Sequence, residues 1–197
     1  MSQLTAAQLA KMGIDANAQI ETWQSIYKKS VKLADMIAKS CKHIKPAELF
    51  DKVVTIPKGG LYPANIVTRE IGCRSIDILT AAMGSYPPGS NHRQKITYGQ
   101  LPSRDDIEGK NILIIDEVCD SGRTLLDLVN RLKRLGAKQI KTGVLHYKPG
   151  KNETGFIPNW YVEATDNWIV YPWEINEFKG RNSRPRAMKK PAWSDRT

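Results

Sequence analysis

The sequence predicts an α/β fold built on a central, mostly parallel sheet flanked by helices. Three observations carry that expectation. The run Ile112-Leu113-Ile114-Ile115 is short and apolar throughout, as a parallel strand covered on both faces must be. Strand-like and helix-like patterns alternate along the chain, the order that builds βαβ units. Two of the strand-like runs lead into glycine turns that open helices, Lys58-Gly59-Gly60 and Ser121-Gly122.

Taken in order, residues 3–12 are rich in Ala and Leu and predict a short helix ending before Gly13. A longer helix is expected from about Ala16 to Lys42. Ile20, Trp23, Tyr27, Val31, Ala34, Ile37 and Cys41 recur there at three- and four-residue spacing, which makes Trp23 and Tyr27 core residues. Lys52 to Ile56 reads as a strand stopped by Pro57, and Tyr62 to Ile71 as a helix. Ser75 to Thr80 is the next strand. The polar stretch from Gly84 to Lys95 has the length of a lid or binding loop, with His92 a plain loop residue. Asp105 to Lys110 turns the chain into the strand at 112–115. A helix lined by Leu125, Leu126, Leu128, Val129, Leu132 and Leu135 then runs to Gly136, whose position suits a helix C-terminus. Lys138 to Tyr147 closes the pattern as a strand, and aromatic segments follow at 160–163 and 168–174.

Composition limits the function classes. Of 197 residues, 41% are apolar and 25% charged, ordinary for a soluble globular protein. No apolar run reaches membrane-spanning length, and Met-Ser-Gln-Leu-Thr lacks the layout of a secretory signal. Cys41, Cys73 and Cys119 are widely spaced without a metal-ligand pattern, which predicts reduced thiols and a cytoplasmic location. Residues 179–197 hold seven Lys or Arg against one Asp, and so carry +6 of the net +10. Such a tail suits nucleic acid or polyphosphate, but a solvated end is the simpler reading.

The chemistry concentrates in Asp116-Glu117-Val118-Cys119-Asp120-Ser121-Gly122-Arg123-Thr124. Three carboxylates leave the strand within five positions, and a small hydroxyl, a glycine and a threonine open the next helix. Amide groups at a helix start suit a phosphate, while carboxylates suit hydroxyls and a hard cation. Lys58-Gly59-Gly60 is a second anion-binding design of amides, glycine clearance and one cation. Neither of the usual nucleotide-loop patterns, GxxxxGK[ST] or GxGxxG, occurs. Asp120 also has a plainer reading, as N-cap of the helix beginning near Gly122.

The stretch Ile112–Thr124 resembles the phosphoribosyl pyrophosphate (PRPP) motif of type I phosphoribosyltransferases. Ile56-Pro57-Lys58-Gly59-Gly60, Ser85-Tyr86, Lys148-Pro149-Gly150 and Trp168-Ile169-x-x-Pro172-Trp173-Glu174 extend the likeness to the 6-oxopurine branch, over about residues 20 to 177. The resemblance implies one domain over 1–178, with a flexible lid loop, a small C-terminal hood from 148 to 178, and a basic tail beyond. It implies a purine salvage enzyme that joins PRPP to N9 of guanine, hypoxanthine or xanthine, releasing pyrophosphate and a nucleoside monophosphate. Mg²⁺ would be the cofactor, and a dimer or tetramer the assembly, with no membrane partner.

Residue by residue, the resemblance gives the 5′-phosphate to Ser121, Gly122, Arg123 and Thr124, and the ribose hydroxyls and metal to Asp116 and Glu117. Lys58 and Gly59 would hold pyrophosphate. Asp120 would handle the proton at purine N7 while also touching PRPP. Lys148 would bond the 6-oxo group, Trp168 stack on the base, and the Ile169 carbonyl read a 2-amino group. Ser85 and Tyr86 fall in the lid, and Glu174 at a further metal position. The chain departs from the commoner pattern with Lys58 for Arg, with Glu117 and Glu174 for Asp, and with Pro87-Pro88-Gly89 in the lid. A rival from another class is a phosphoribosyltransferase-like regulator that senses a nucleotide and holds nucleic acid through the tail.

Overall fold

The computed structural model of the chain describes residues 14–15, 17–41, 44–72, 77–84 and 96–175. The expected helix at 3–12, Cys73, the lid residues Ser85 and Tyr86, His92 and the tail 179–197 lie outside them. In chain order come β1 (Gln19–Ile20), α1 (Trp23–Ser40), α2 (Pro46–Leu49), β2 (Lys52–Thr55) and α3 (Leu61–Glu70). They are followed by β3 (Ile78–Thr80), β4 (Met83–Gly84), β5 (Thr97–Tyr98) and α4 (Arg104–Ile107). Then come β6 (Asn111–Cys119), α5 (Arg123–Arg134), β7 (Gln139–Tyr147), β8 (Trp160–Ala164) and β9 (Ile169–Val170). The chain divides into two compact units, Trp23–Asp166 and a second formed from both ends, Met1–Thr22 with Asn167–Thr197.

In the larger unit five strands form a wholly parallel sheet in the order β3-β2-β6-β7-β8. Alternation along β6 assigns its two faces. Ile112 and Ile114 pack with Leu125, Leu128, Val129 and Leu132 of α5. The space over Gly143 is filled from the other side by Ile115 and by Leu33 of α1. All four residues 112–115 are fully buried, so the apolar run is apolar because both faces are covered. The helix ending at Gly136 is as expected, with φ +90° there and a bond from Ala137 N to Leu132 O closing the last turn.

Two local expectations are corrected. Trp23 and Tyr27 are 45% and 53% exposed; the buried face of α1 is Ile26, Ser30, Leu33, Ala34 and Ile37. The helix begins at Trp23, and Ile20 instead belongs to β1. Two neighbouring stripes satisfy the same helical spacing, and packing against the sheet selects the second. Secondly, the strand at 112–115 runs on to Cys119, so Asp116 and Glu117 stand on β6 itself and Asp120 is the first residue beyond it. Long pairing with β7, through Cys119 opposite Tyr147, holds the extra residues extended.

The smaller unit contains the parallel pair β1–β9, with Gln19 opposite Ile169 and Ile20 opposite Val170. Ile14 and Val170 are buried in its apolar cluster.

Candidate active site

Sheet order decides where the larger unit can take a ligand. From β2 the chain continues through α3 to β3 on one side; from β6 it continues through α5 to β7 on the other. The direction of winding reverses between β2 and β6, and the loops leaving such a pair part to form a crevice. Residues 56–60 follow β2, and residues 120–122 follow β6. The two motifs singled out in the sequence therefore meet at one switch point.

Gly59 and Gly60 fit that meeting closely. A Cβ on Gly59 would overlap the Glu117 carboxylate. One on Gly60 would lie 2.5 Å from Thr55 Oγ1, 2.6 Å from Asp116 Oδ1 and 2.8 Å from the Ile56 carbonyl. Glycine is needed here for clearance and lets the 58–60 loop lie directly on the acids. Lys58 is exposed on that loop, and the Pro57–Lys58 peptide is cis. Thr55 and Gly60 were not among the expected ligand residues. The Gly-Gly pair was a signal for Gly60, whereas nothing local marks Thr55, whose buried hydroxyl has no hydrogen-bond partner among the described residues.

Asp116 is buried, and its Oδ1 accepts from Glu117 N at 3.0 Å. Burial first, then the neighbouring Glu117 charge and a carboxyl–carboxyl hydrogen bond, hold Asp116 well above the usual carboxylate range. The two crowded carboxylates offer the hard oxygen donors that suit a divalent cation. The sign for stability follows. An unfolded chain ionises Asp116 near 3.8, while the folded chain retains the proton. The stabilising contribution is therefore present at low pH and declines as pH rises from there through the raised folded value. Asp116→Asn is expected to raise the melting temperature of the ligand-free protein more at pH 7 than at pH 4. Thermal denaturation at the two values checks this.

Asp120 has its Oδ1 3.9 Å from Lys148 Nζ, bringing together two expected site residues from the ends of β6 and β7. Lys148 is itself buried, and its amide donates to Cys119 O at 3.0 Å. Asp120 is not the helix cap. The N-cap of α5 is Gly122, at φ +79° and without a side-chain cap bond, while Ser121 Oγ accepts from Arg123 N at 3.4 Å. The left-handed turn at Gly122 places the N-cap position two residues beyond Asp120. Cys119, buried between Asp116 and Asp120, has its thiol pushed up to about 12, chiefly by burial, and is an inert core residue.

Trp168, Ile169 and Glu174 belong to the smaller unit. Trp168 is half-exposed. The carbonyls of Trp168 and Val170 accept from Gln19 N and Glu21 N, so strand geometry turns the Ile169 carbonyl between them away from β1. Glu174 Oε2 accepts from Tyr171 N at 3.2 Å, and Tyr171 stacks on Trp173 at 4.8 Å.

Comparison with known proteins is consistent with this geometry. Residues 16–174 match the family model described as phosphoribosyl transferase domain. The xanthine-guanine phosphoribosyltransferase of Gluconobacter oxydans is 30% identical over 155 residues, 78% of this chain and 82% of that protein. Its namesake from Idiomarina loihiensis is 26% identical, over 84% of this chain and 92% of its own. Among solved structures, a purine phosphoribosyltransferase from Pyrococcus horikoshii superposes with TM-score 0.61 at 27% identity, covering 80% of this chain and 94% of that one. A Neisseria gonorrhoeae protein of unassigned function, solved with bound ppGpp, gives 0.60 at 26% identity, covering 82% and 94%.

Proposed function

The chain belongs to the phosphoribosyl transferase family, and from that premise we propose that it transfers the 5-phosphoribosyl group of PRPP to N9 of a 6-oxopurine, releasing pyrophosphate. The observation that carries the reading is the convergence of the acid pair, the Gly122 turn, Lys58-Gly59-Gly60 and the Asp120–Lys148 pair at one switch point.

In this reading the amides of residues 121–124 and the hydroxyls of Ser121 and Thr124 hold the 5′-phosphate at the positive end of α5. Asp116 and Glu117 accept hydrogen bonds from the ribose 2′- and 3′-hydroxyls. The 58–60 loop, with its lysine cation, steadies the negative charge that gathers on pyrophosphate as the C1′–O bond breaks. Lysine supplies that charge without the forked grip of arginine. Asp120 accepts the proton at N7 as N9 attacks C1′. Lys148 donates to the 6-oxo group and is mismatched to the 6-amino group of adenine. Trp168 stacks on the base, and the Ile169 carbonyl accepts from a 2-amino group. Asp116 and Glu117 would hold Mg²⁺, which would supply charge neutralisation for the pyrophosphate, and Glu174 would be an oxygen ligand at a further metal position. Ser85 and Tyr86 would exclude water from the cation-like sugar.

The test is to incubate the protein with PRPP and Mg²⁺ plus guanine, hypoxanthine, xanthine, adenine or uracil, and to identify products by mass. Monophosphates are expected from oxopurines and not from adenine or uracil; silence with every oxopurine sinks the proposal. The regulator reading rests on the seven cations of 179–197 and predicts a salt-sensitive nucleic-acid complex lost on deleting that segment. Trp168→Ala is expected to raise the KM for guanine about tenfold, the scale of one aromatic–base stack, with little change in the KM for PRPP. Unchanged guanine affinity would remove Trp168 from base binding.

A further inference from the structure

The 5′-phosphate turn is braced from outside by a segment that the transfer reaction leaves without a role. After β7 the chain forms a tight turn over 152–156, and Asn152 organises it with five hydrogen bonds. Its side-chain amide donates to Tyr147 Oη at 2.9 Å and to Phe156 O at 2.8 Å. Its Oδ1 accepts from Thr154 N at 3.0 Å, Gly155 N at 3.1 Å and Thr154 Oγ1 at 3.2 Å. Held in that shape, the turn presents Glu153 N to Ser121 O at 3.0 Å, and Thr154 Oγ1, 3.4 Å from the same oxygen, is an alternative donor when its one proton turns from Asn152 Oδ1.

The peptide plane makes this consequential. Ser121 O and Gly122 N belong to one rigid, planar unit and point in opposite directions. The Glu153 amide, which holds the carbonyl toward residues 153–154, therefore aims the Gly122 N–H the opposite way. Gly122 also sits at φ +79°, and the space its missing Cβ leaves is occupied by Thr154 and by Asn152 Oδ1 at 3.0 Å. An Arg123–Glu153 ion pair at 2.6 Å ties the next residue of the phosphate turn to the same segment. It is half-exposed and adds little by itself.

We propose that Asn152 is a positioning residue for the 5′-phosphate: through Glu153 N, with the Thr154 hydroxyl as the alternative donor, it orients the Ser121–Gly122 peptide before PRPP arrives. This rests on the phosphoribosyl-transfer reading. Orientation set in advance lowers the ordering cost of binding, so the effect belongs to the phosphate end of the substrate and not to the base. Asn152 touches neither substrate and acts through the turn.

The test compares wild type with Asn152→Asp, which keeps the acceptor and loses both donor bonds. Thr154→Val, which keeps the shape and removes the hydroxyl, is the second variant. Calorimetry with ribose 5-phosphate, steady-state kinetics and thermal melting are measured on the full chain. For Asn152→Asp, the ribose 5-phosphate Kd and the PRPP KM are expected to rise about tenfold, with guanine KM and saturated kcat within about twofold. Thr154→Val is expected to shift the same two parameters in the same direction by a smaller factor. A folded Asn152→Asp protein with wild-type affinity for ribose 5-phosphate overturns the proposal, as does a parallel loss in all kinetic parameters. If Asn152→Asp does not fold, Thr154→Val decides on the same criteria. Wild-type protein that binds neither ribose 5-phosphate nor PRPP brings down the transfer reading and this inference together; normal wild-type binding with unaffected variants removes only the positioning role.

Discussion

Asp120→Asn is expected to slow nucleotide formation by about 100-fold or more, the usual scale of a lost general base, while PRPP affinity changes by less than about threefold. The carboxylate is the first residue beyond β6 and lies 3.9 Å from the Lys148 ammonium. The N-cap of α5 is Gly122, so the substitution does not replace the N-cap residue. Asparagine preserves size and one acceptor oxygen but cannot take up a proton. The loss should therefore appear in the chemical step, read by single-turnover rates, and not in the PRPP Kd, read by calorimetry. Equal losses in both would make Asp120 a binding residue only. The neighbouring cation adds a control. Lys148→Met should weaken oxopurine binding without abolishing PRPP binding, because the lysine stands toward the base in the proposed arrangement.

Gly122→Ala is expected to cost about 3 kcal/mol of stability and to lower PRPP affinity sharply. Two causes add. At φ +79° an L-residue is strained, by about 1–2 kcal/mol. The new methyl would also collide with Thr154 Oγ1, with Asn152 Oδ1 3.0 Å away and Phe156 Cβ 3.5 Å away. Because those groups form the brace on Ser121 O, relief of the collision must displace the phosphate turn or the brace. Gly109→Ala separates the causes, since Gly109 has φ +70° but nothing within 4 Å of the added methyl. It should show the strain alone, as a modest fall in melting temperature with PRPP affinity retained. Equal thermal and affinity losses in the two variants would mean that the packing around Gly122 is unimportant.

Local chemistry made the parts of the candidate site legible. Residues 116–124 are contiguous, one strand leading into one helix, so order and residue type suffice to nominate them. The same holds for Lys58-Gly59-Gly60. What escaped was phase and contact. Trp23 and Tyr27 satisfied the helical spacing yet face outward, because periodicity defines a stripe without saying which stripe meets the sheet. The extent of β6 was underestimated because charged residues usually end a buried strand, and here pairing with β7 carries it through them.

The sequence alone determined the alternation of strands and helices, the buried strand 112–115, and the chemical character of two glycine turns. These are properties of neighbours along the chain. Only the tertiary structure decided that β2 and β6 flank the switch point, that Gly60 lies on Asp116, and that Glu153 N bonds Ser121 O from some thirty residues away by rough count along the chain. Each of these depends on strand order and loop contact at a distance. No local pattern encodes them, because the energy that selects them comes from packing the whole sheet.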